Sequence, residues 1–321
     1  MKGYFSMILF FLFVSCHNNM NMKKLRMDQG LEMEKAYLII LGTVQDAGSP
    51  HIACKKDCCR KLFSNPDSNR KVVSLGLIDS EHHKKYLIEA TPDIAVQMKN
   101  LYDQFNSSTI EIPDGVFLTH THIGHYTGLM YFGKEAMNAD KLNVYAMPRM
   151  KTFLEQNGPW SQLVNYQNIN IHPLTNQEEV RLTPNISIKP LLVPHRDEYS
   201  ETVAYLIAGP SKKILFIPDI DKWSKWNLDI IHLITLVDYA FIDGTFYDGN
   251  ELKNRSMAEI PHPFIVESME LFKHLSHVEK SKIYFIHLNH TNPALIKTSQ
   301  QSNTIIKNGF NVARMGQIIK L

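Results

Sequence analysis

Residues 115–130 read Gly-Val-Phe-Leu-Thr-His-Thr-His-Ile-Gly-His-Tyr-Thr-Gly-Leu-Met. Gly115–Thr119 is an apolar run of strand length, and the residues from His125 onward have helical character. His120 and His122 are two apart at the strand end, so their rings point to the same side. His125 opens the next element and can turn back toward them. Neutral imidazole is the commonest biological metal ligand, and three converging rings can hold Zn2+ or Fe2+. A single histidine here would read as a solvated loop residue. Three within six residues behind an apolar strand read as a metal site.

Outward from this stretch, short apolar strands alternate with helices. Strands are expected at Tyr37–Gly42, Val72–Ile78, Lys85–Glu89, Leu142–Ala146, Ile186–Val193, Thr202–Ile207, Lys213–Ile217, Val237–Ile242 and Lys282–His287. Helices are expected at Asp93–Phe105, His125–Phe132, Arg149–Gln156, Pro263–Leu275 and Pro293–Lys307. Strands dominate the first two-thirds, which predicts two mixed sheets packed together with helices outside. No linker or repeat divides the region, so it reads as one domain over residues 35–321. The chain has 321 residues, 34 basic and 32 acidic side chains, 44% hydrophobic and 21% charged residues. Those values exclude a disordered chain and a polytopic membrane protein. A net charge of +2 also argues against a dedicated nucleic-acid binder, which needs a basic surplus.

Strand-HxHxxH-helix resembles the signature of the metallo-β-lactamase superfamily, an α/β fold built as a four-layer αββα sandwich. Further stretches fit that resemblance in order: LVPHRDEYSETVAYLI with His195, KKILFIPDID with Asp219, and KIYFIHLNHTNP with His287. YLIEATPDI resembles the family's early strand-turn, with Glu89 where aspartate is usual. The resemblance implies a first metal position formed by His120, His122 and His195. It implies a second formed by His125, Asp219 and His287, with Asp219 bridging. One residue departs from the pattern. Gly124 stands where the family has aspartate, so the second position loses a carboxylate and is expected to be weak, to need another ligand, or to be empty.

Cys54, Cys58 and Cys59 follow a Gly-containing turn after the first strand. Three thiolates and one imidazole would close a tetrahedral structural zinc site, and His290, three residues after His287, is a candidate fourth ligand. His51 is a weaker candidate. A disulfide from Cys54 or free thiols is the alternative, although adjacent Cys58 and Cys59 pair poorly with each other. The cysteine-rich turn resembles both the phosphonate-pathway cyclic phosphodiesterase and the PqqB-like branch, the latter tied to biosynthesis of the quinone cofactor PQQ. In the related phosphodiesterase a histidine in the region of His262 is read as a proton donor. Pro261 and Pro263 would hold that ring in place. Asp243 reads equally as an orienting carboxylate or a turn residue.

The first 16 residues, MKGYFSMILFFLFVSC, carry an apolar run too short for a stable transmembrane helix and suited to a secretory signal. Phe-Val-Ser-Cys resembles a bacterial lipobox. The expectation is an exported protein, lipid-anchored at Cys16 and facing the periplasm, with residues 17–34 as a tether. An incorrectly assigned start is the alternative. The expected function is a metal-dependent hydrolase in which metal-bound hydroxide attacks a phosphodiester or other ester, with Asp219 and His262 as catalytic residues. One or two Zn2+ would serve the active site and one the cysteines, with Fe2+ or Mn2+ as active-site alternatives. The alternatives are a PqqB-like iron-dependent oxygenase or oxidoreductase, and a non-enzymatic metal or ligand carrier. The expected partner is a small-molecule substrate; the sequence leaves a homodimer open.

Overall fold

The computed structural model describes residues 34–103, 111–196, 198–252 and 256–321. The leader, Cys16 and the tether up to residue 33 lie outside the described residues. Glu34 is described, and its carbonyl accepts a 2.7 Å hydrogen bond from Ser80 Oγ. Among the described residues, no helix is long and apolar enough to cross a membrane.

The strands are β1 (Ala36–Gly42), β2 (Ser74–Asp79), β3 (Lys84–Ile88), β4 (Gly115–Phe117), β5 (Leu142–Ala146), β6 (Ile169–Pro173), β7 (Val180–Arg181), β8 (Ser187–Leu192), β9 (Val203–Ala208), β10 (Lys213–Ile217), β11 (Tyr239–Asp243), β12 (Ile283–Ile286), β13 (Asn311–Val312) and β14 (Ile318–Lys320). They form two seven-stranded sheets, ordered β14-β1-β2-β3-β4-β5-β6 and β13-β12-β11-β10-β9-β8-β7. Both are mixed. β1–β2 and β2–β3 are antiparallel and β3 to β6 parallel, while β8–β9 and β9–β10 are antiparallel and β10 to β13 parallel.

The inner strands β1, β2, β10, β11 and β12 are apolar along most of their length because both faces of each sheet are covered. In β1, Leu38 and Ile40 face the second sheet, while Ile39 and Leu41 join the outer helical layer. In β10, Ile214 and Phe216 point between the sheets, and Leu215 and Ile217 point to the other helical layer. Phe117, Tyr205, Phe216 and Phe241 fill the interface between sheets. Burying each such side chain stabilises by roughly 1.5–3 kcal/mol. Tyr205 also donates a 2.6 Å hydrogen bond to the Leu118 carbonyl, so the second sheet fixes the segment that leads to His120.

Two expected helices differ. Pro293–Lys307 is divided into a 3-10 turn at Pro293–Leu295 and a helix at Gln300–Lys307, because the Ser299 side chain caps the Ser302 amide and starts the helix there. His125–Phe132 is one α-turn, Ile123–Tyr126, followed by 3-10 backbone over Thr127–Phe132. The helices Trp160–Asn165, Ile230–Thr235 and His277–Ser281, and strands β6, β7, β13 and β14, were not anticipated.

Candidate metal centre

The ligand-type residues gather just past strand ends. His120 follows β4, His195 follows β8, Asp219 follows β10, His287 follows β12, and Glu89 follows β3; Asp243 ends β11. Both sheets thus deliver side chains to one edge of the sandwich.

Asp219 is central. Its Oδ1 lies 3.2 Å from His195 Nε2, and its Oδ2 lies 3.4 Å from His120 Nε2 and 3.9 Å from His122 Nδ1. The same Oδ2 is 3.9 Å from His125 Nε2 and 3.8 Å from His287 Nε2. Asp219 is shared by three groups of potential ligand atoms: His120, His122, His195 and Asp219; Asp46, His125, Asp219 and His287; and a smaller one of Asp219, Asp243 and His262. The six residues expected from the sequence are therefore brought together in the first two groups, with Asp219 common to both. Asp46 was not anticipated. Its Oδ1 is 2.9 Å from His125 Nε2 and 3.3 Å from His287 Nε2, so of the outcomes expected from Gly124 the geometry matches the need for another ligand.

The rings are oriented from behind. His120 Nδ1 lies 2.9 Å from Thr119 Oγ1, which donates to Glu89 Oε1 at 2.5 Å. His287 Nδ1 lies 2.9 Å from Thr245 Oγ1, which donates to Asp243 Oδ1 at 2.7 Å. A threonine that donates to a carboxylate must accept from the ring, which places the proton on Nδ1 and the lone pair of Nε2 toward the cluster. His195 Nδ1 faces Asp221 Oδ1 at 3.2 Å, and His125 Nδ1 faces Glu89 Oε1 at 3.2 Å. Such outer partners are how proteins fix metal-binding imidazoles.

Several inward atoms lack ordinary partners. His120 Nε2, His195 Nε2 and Asp219 Oδ1 are buried without a hydrogen bond, although they crowd one another. Burial disfavours charge on Asp219, but His195, His262 and His287 hold its carboxyl well below the usual range. Burial likewise opposes ionisation of Asp46, and His125 with His287 overrides it. For His195, burial pulls the ring down, yet the Asp219 charge and bonds to Asp219 and Asp221 push it up to about 9. Buried carboxylates of this kind require compensating cations. The donor set of imidazole nitrogens and carboxylate oxygens, with orphaned atoms aimed at common points, fits divalent metal ions.

His262 stands beside this centre. Its Nδ1 is 2.9 Å from Asp243 Oδ2 and 3.1 Å from Asp219 Oδ1. Burial lowers its pKa, but the two carboxylates raise it well above the ordinary value. Asp243 accepts from the Ile220 and Thr245 amides at 3.2 and 2.8 Å, so it closes the turn after β11 while its carboxylate also faces His262. At the outer edge, Arg196 NH2 reaches within 3.1 Å of His122 Nε2. Two and three residues further on, Glu198 and Tyr199 join Pro148, Arg149 and Phe153 around a cavity of about 400 Å³.

A separate group contains Cys54, Cys58, Cys59 and His290, whose ligand atoms lie within 4.8 Å of one another. All three cysteines are free, so the alternative of a disulfide from Cys54 is not realised among the described residues. Burial, then the charges of His51 and Lys56, lower His290 to about 4, which leaves a neutral imidazole at physiological pH. The His51 ring sits 4.3 Å from that of His290, while its backbone N–H points at Cys59 Sγ, 3.3 Å away. His51 is therefore a neighbour of the group and not its fourth ligand atom.

Comparison with known proteins agrees with this architecture. A family model described as Beta-lactamase superfamily domain matches residues 84–288. Coenzyme PQQ synthesis protein B of Klebsiella pneumoniae is 21% identical over 309 residues, 89% of this chain and 98% of that protein. The Acinetobacter baylyi protein of the same name is 24% identical over 308 residues, 88% and 99% of the respective chains. Among solved structures, Zn2+-bound PqqB from Methylobacterium extorquens aligns with a TM-score of 0.73 at 20% identity, covering 89% of this chain and all of that one. A diphosphatase from the PhnP family aligns with a TM-score of 0.59 at 20% identity, covering 88% and 96%. With the two sheets, the pooled ligands at their edge and a family match spanning β3 to the end of β12, the chain belongs to the beta-lactamase superfamily and resembles its PqqB-like members.

Proposed function

We propose that the protein is a two-metal hydrolase acting on a small phosphodiester or related ester. The observation that supports this most is the sharing of Asp219 between two ligand groups with His262 Nδ1 only 3.1 Å from it. His120, His122, His195 and Asp219, and His125, Asp219 and His287, would each hold a divalent cation, which would supply hydroxide near neutral pH and offset charge on a phosphoryl oxygen. Zn2+ suits these donors, and Fe2+ or Mn2+ suits them also. His262 is the proton donor to the leaving oxygen. Asp243 accepts from Nδ1–H, and its charge together with that of Asp219 nearby favours the imidazolium, which leaves Nε2–H for substrate. Arg196, exposed at the rim beside His122, offers a guanidinium to an anionic substrate. The cysteines with His290 hold a structural Zn2+.

A second reading is an iron-dependent oxidative enzyme related to PQQ synthesis. The curated relatives favour it, because they span nearly the whole chain under that name. One pair of measurements separates the two: elemental analysis of anaerobically purified protein, and turnover of bis(p-nitrophenyl) phosphate. The hydrolase reading expects zinc or manganese and a turnover that disappears in His122→Ala. Iron with no hydrolysis supports the oxidative reading, and turnover unchanged in His122→Ala removes the hydrolase assignment.

A further inference from the structure

Position 124 and Asp46 occupy the same space. A Cβ built on Gly124 would lie 2.4 Å from Asp46 Cα, 2.7 Å from its Oδ1 and 2.9 Å from its Cβ. The first of these contacts is with backbone, which cannot rotate away. Any side chain at 124 therefore displaces the segment that carries Asp46, and Asp46 can approach His125 only while position 124 is glycine.

The segment is also fastened where it stands. Val44 bridges Val72 on one side and Leu288 on the other. The Gln45 amide donates to the Leu288 carbonyl at 3.0 Å, and the Leu288 amide donates to the Thr43 carbonyl at 2.8 Å. The loop after β1 is thereby laced to the residue that follows His287. This places Asp46 Oδ1 between His125 Nε2 and His287 Nε2, with a side chain only 17% exposed.

We infer that Asp46 is a ligand of the second metal position, a carboxylate delivered from the β1 loop, and that glycine at position 124 is what lets it reach that position. The inference rests on the proposed reading of the histidine cluster as a metal centre. It raises the second ligand set to two imidazoles and two carboxylates, Asp46 and the shared Asp219. Such a set binds a divalent ion more firmly than two imidazoles and one shared carboxylate.

The test uses the full chain, zinc titration after chelation, and elemental analysis after equilibrium dialysis. Wild type is expected to hold about three ions: two in the cluster and one at the cysteines. Asp46→Asn preserves size and removes the charge. It should lose the weakest of the three, or hold it roughly 100-fold less tightly, at or beyond the upper end of second-shell effects. Gly124→Asp should both lower the melting temperature of the metal-free protein and lose that ion. Unchanged stoichiometry and affinity in Asp46→Asn would overturn the inference. A wild-type chain holding only the cysteine ion would instead overturn the metal-centre reading itself.

Discussion

His287 Nδ1 lies 2.9 Å from Thr245 Oγ1, and that hydroxyl is committed as a donor to Asp243. The identical relay recurs across the site, where Thr119 links His120 to Glu89. One relay comes from each sheet, and each ends in a wholly buried carboxylate. Threonine at these two strand ends is thus a tautomer lock, which turns an ambiguous ring into one with its Nε2 lone pair pointed inward.

Removing the lock should be felt by the metal before it is felt by the fold. Thr245→Val keeps the shape and leaves a buried ring N–H without its acceptor, at about 1–3 kcal/mol of stability. Zinc affinity at the second position should fall about 10- to 100-fold. Thr245→Ser should restore both. Isothermal titration of the chelated protein checks this; valine and serine variants with equal affinity would rule out the relay.

His262 is expected to act on the leaving group. His262→Gln should reduce kcat about 10²- to 10⁴-fold for esters with a poor leaving group, with metal content unchanged. The loss should be much smaller for p-nitrophenyl esters, whose departing oxygen needs no proton. A uniform loss across leaving groups would assign His262 a positioning role instead.

Cys58→Ser should release about one zinc per chain and lower the melting temperature, because a structural zinc contributes directly to folding. The ion held by His120, His122 and His195 should stay. Burial and the neighbouring Cys59 sulfur push the Cys58 thiol up to about 12. Binding at the cysteines therefore expels protons, and zinc affinity there should rise with pH. Elemental analysis and thermal melts across pH check both statements, and a variant with full metal content and unchanged melting would refute them.

Glu251 gives a pH signature independent of the metals. Burial raises its carboxyl to about 7, the Asp248 charge adds to this, and hydrogen bonds from Thr291 and the Tyr247 amide only partly oppose it. A folded-state pKa above the unfolded one means that the folded chain binds the proton more tightly. The associated stabilisation is complete below the unfolded value and is lost as pH rises through about 7. Glu251→Gln should therefore melt higher than wild type above neutrality, by the equivalent of about 1–3 kcal/mol, and lose that advantage in mild acid. Parallel melting curves at all pH values would contradict the assignment.

The sequence reveals most of this centre for a simple reason. Each of His120, His195, Asp219 and His287 stands within three residues of the end of an apolar strand, so a linear pattern reports a place in space. Asp46 has no such marker. It lies in a loop of Gly, Ser and Ala, and its position depends on Val44 bridging Val72, just before β2, and Leu288, just after β12. Gly124 was visible only as a missing carboxylate; that the gap is filled by another chain segment requires coordinates. The overlooked strands are equally explicable. β13 and β14 have two and three residues and lie at sheet edges, and β6, Ile-Asn-Ile-His-Pro, is an edge strand with polar residues on its outer side. The long helix expected from Pro293 failed because Ser299 is an N-cap, a local stop-and-start that apolar periodicity does not register.

Anomalous diffraction at the zinc and iron edges from crystals of the full chain addresses the central claim most directly. The account predicts two peaks flanking the Asp219 carboxylate, one among His120, His122 and His195 and one among Asp46, His125 and His287, besides a peak among the cysteines. Crystals soaked in divalent salts that give a peak at the cysteines and none beside Asp219 would contradict it.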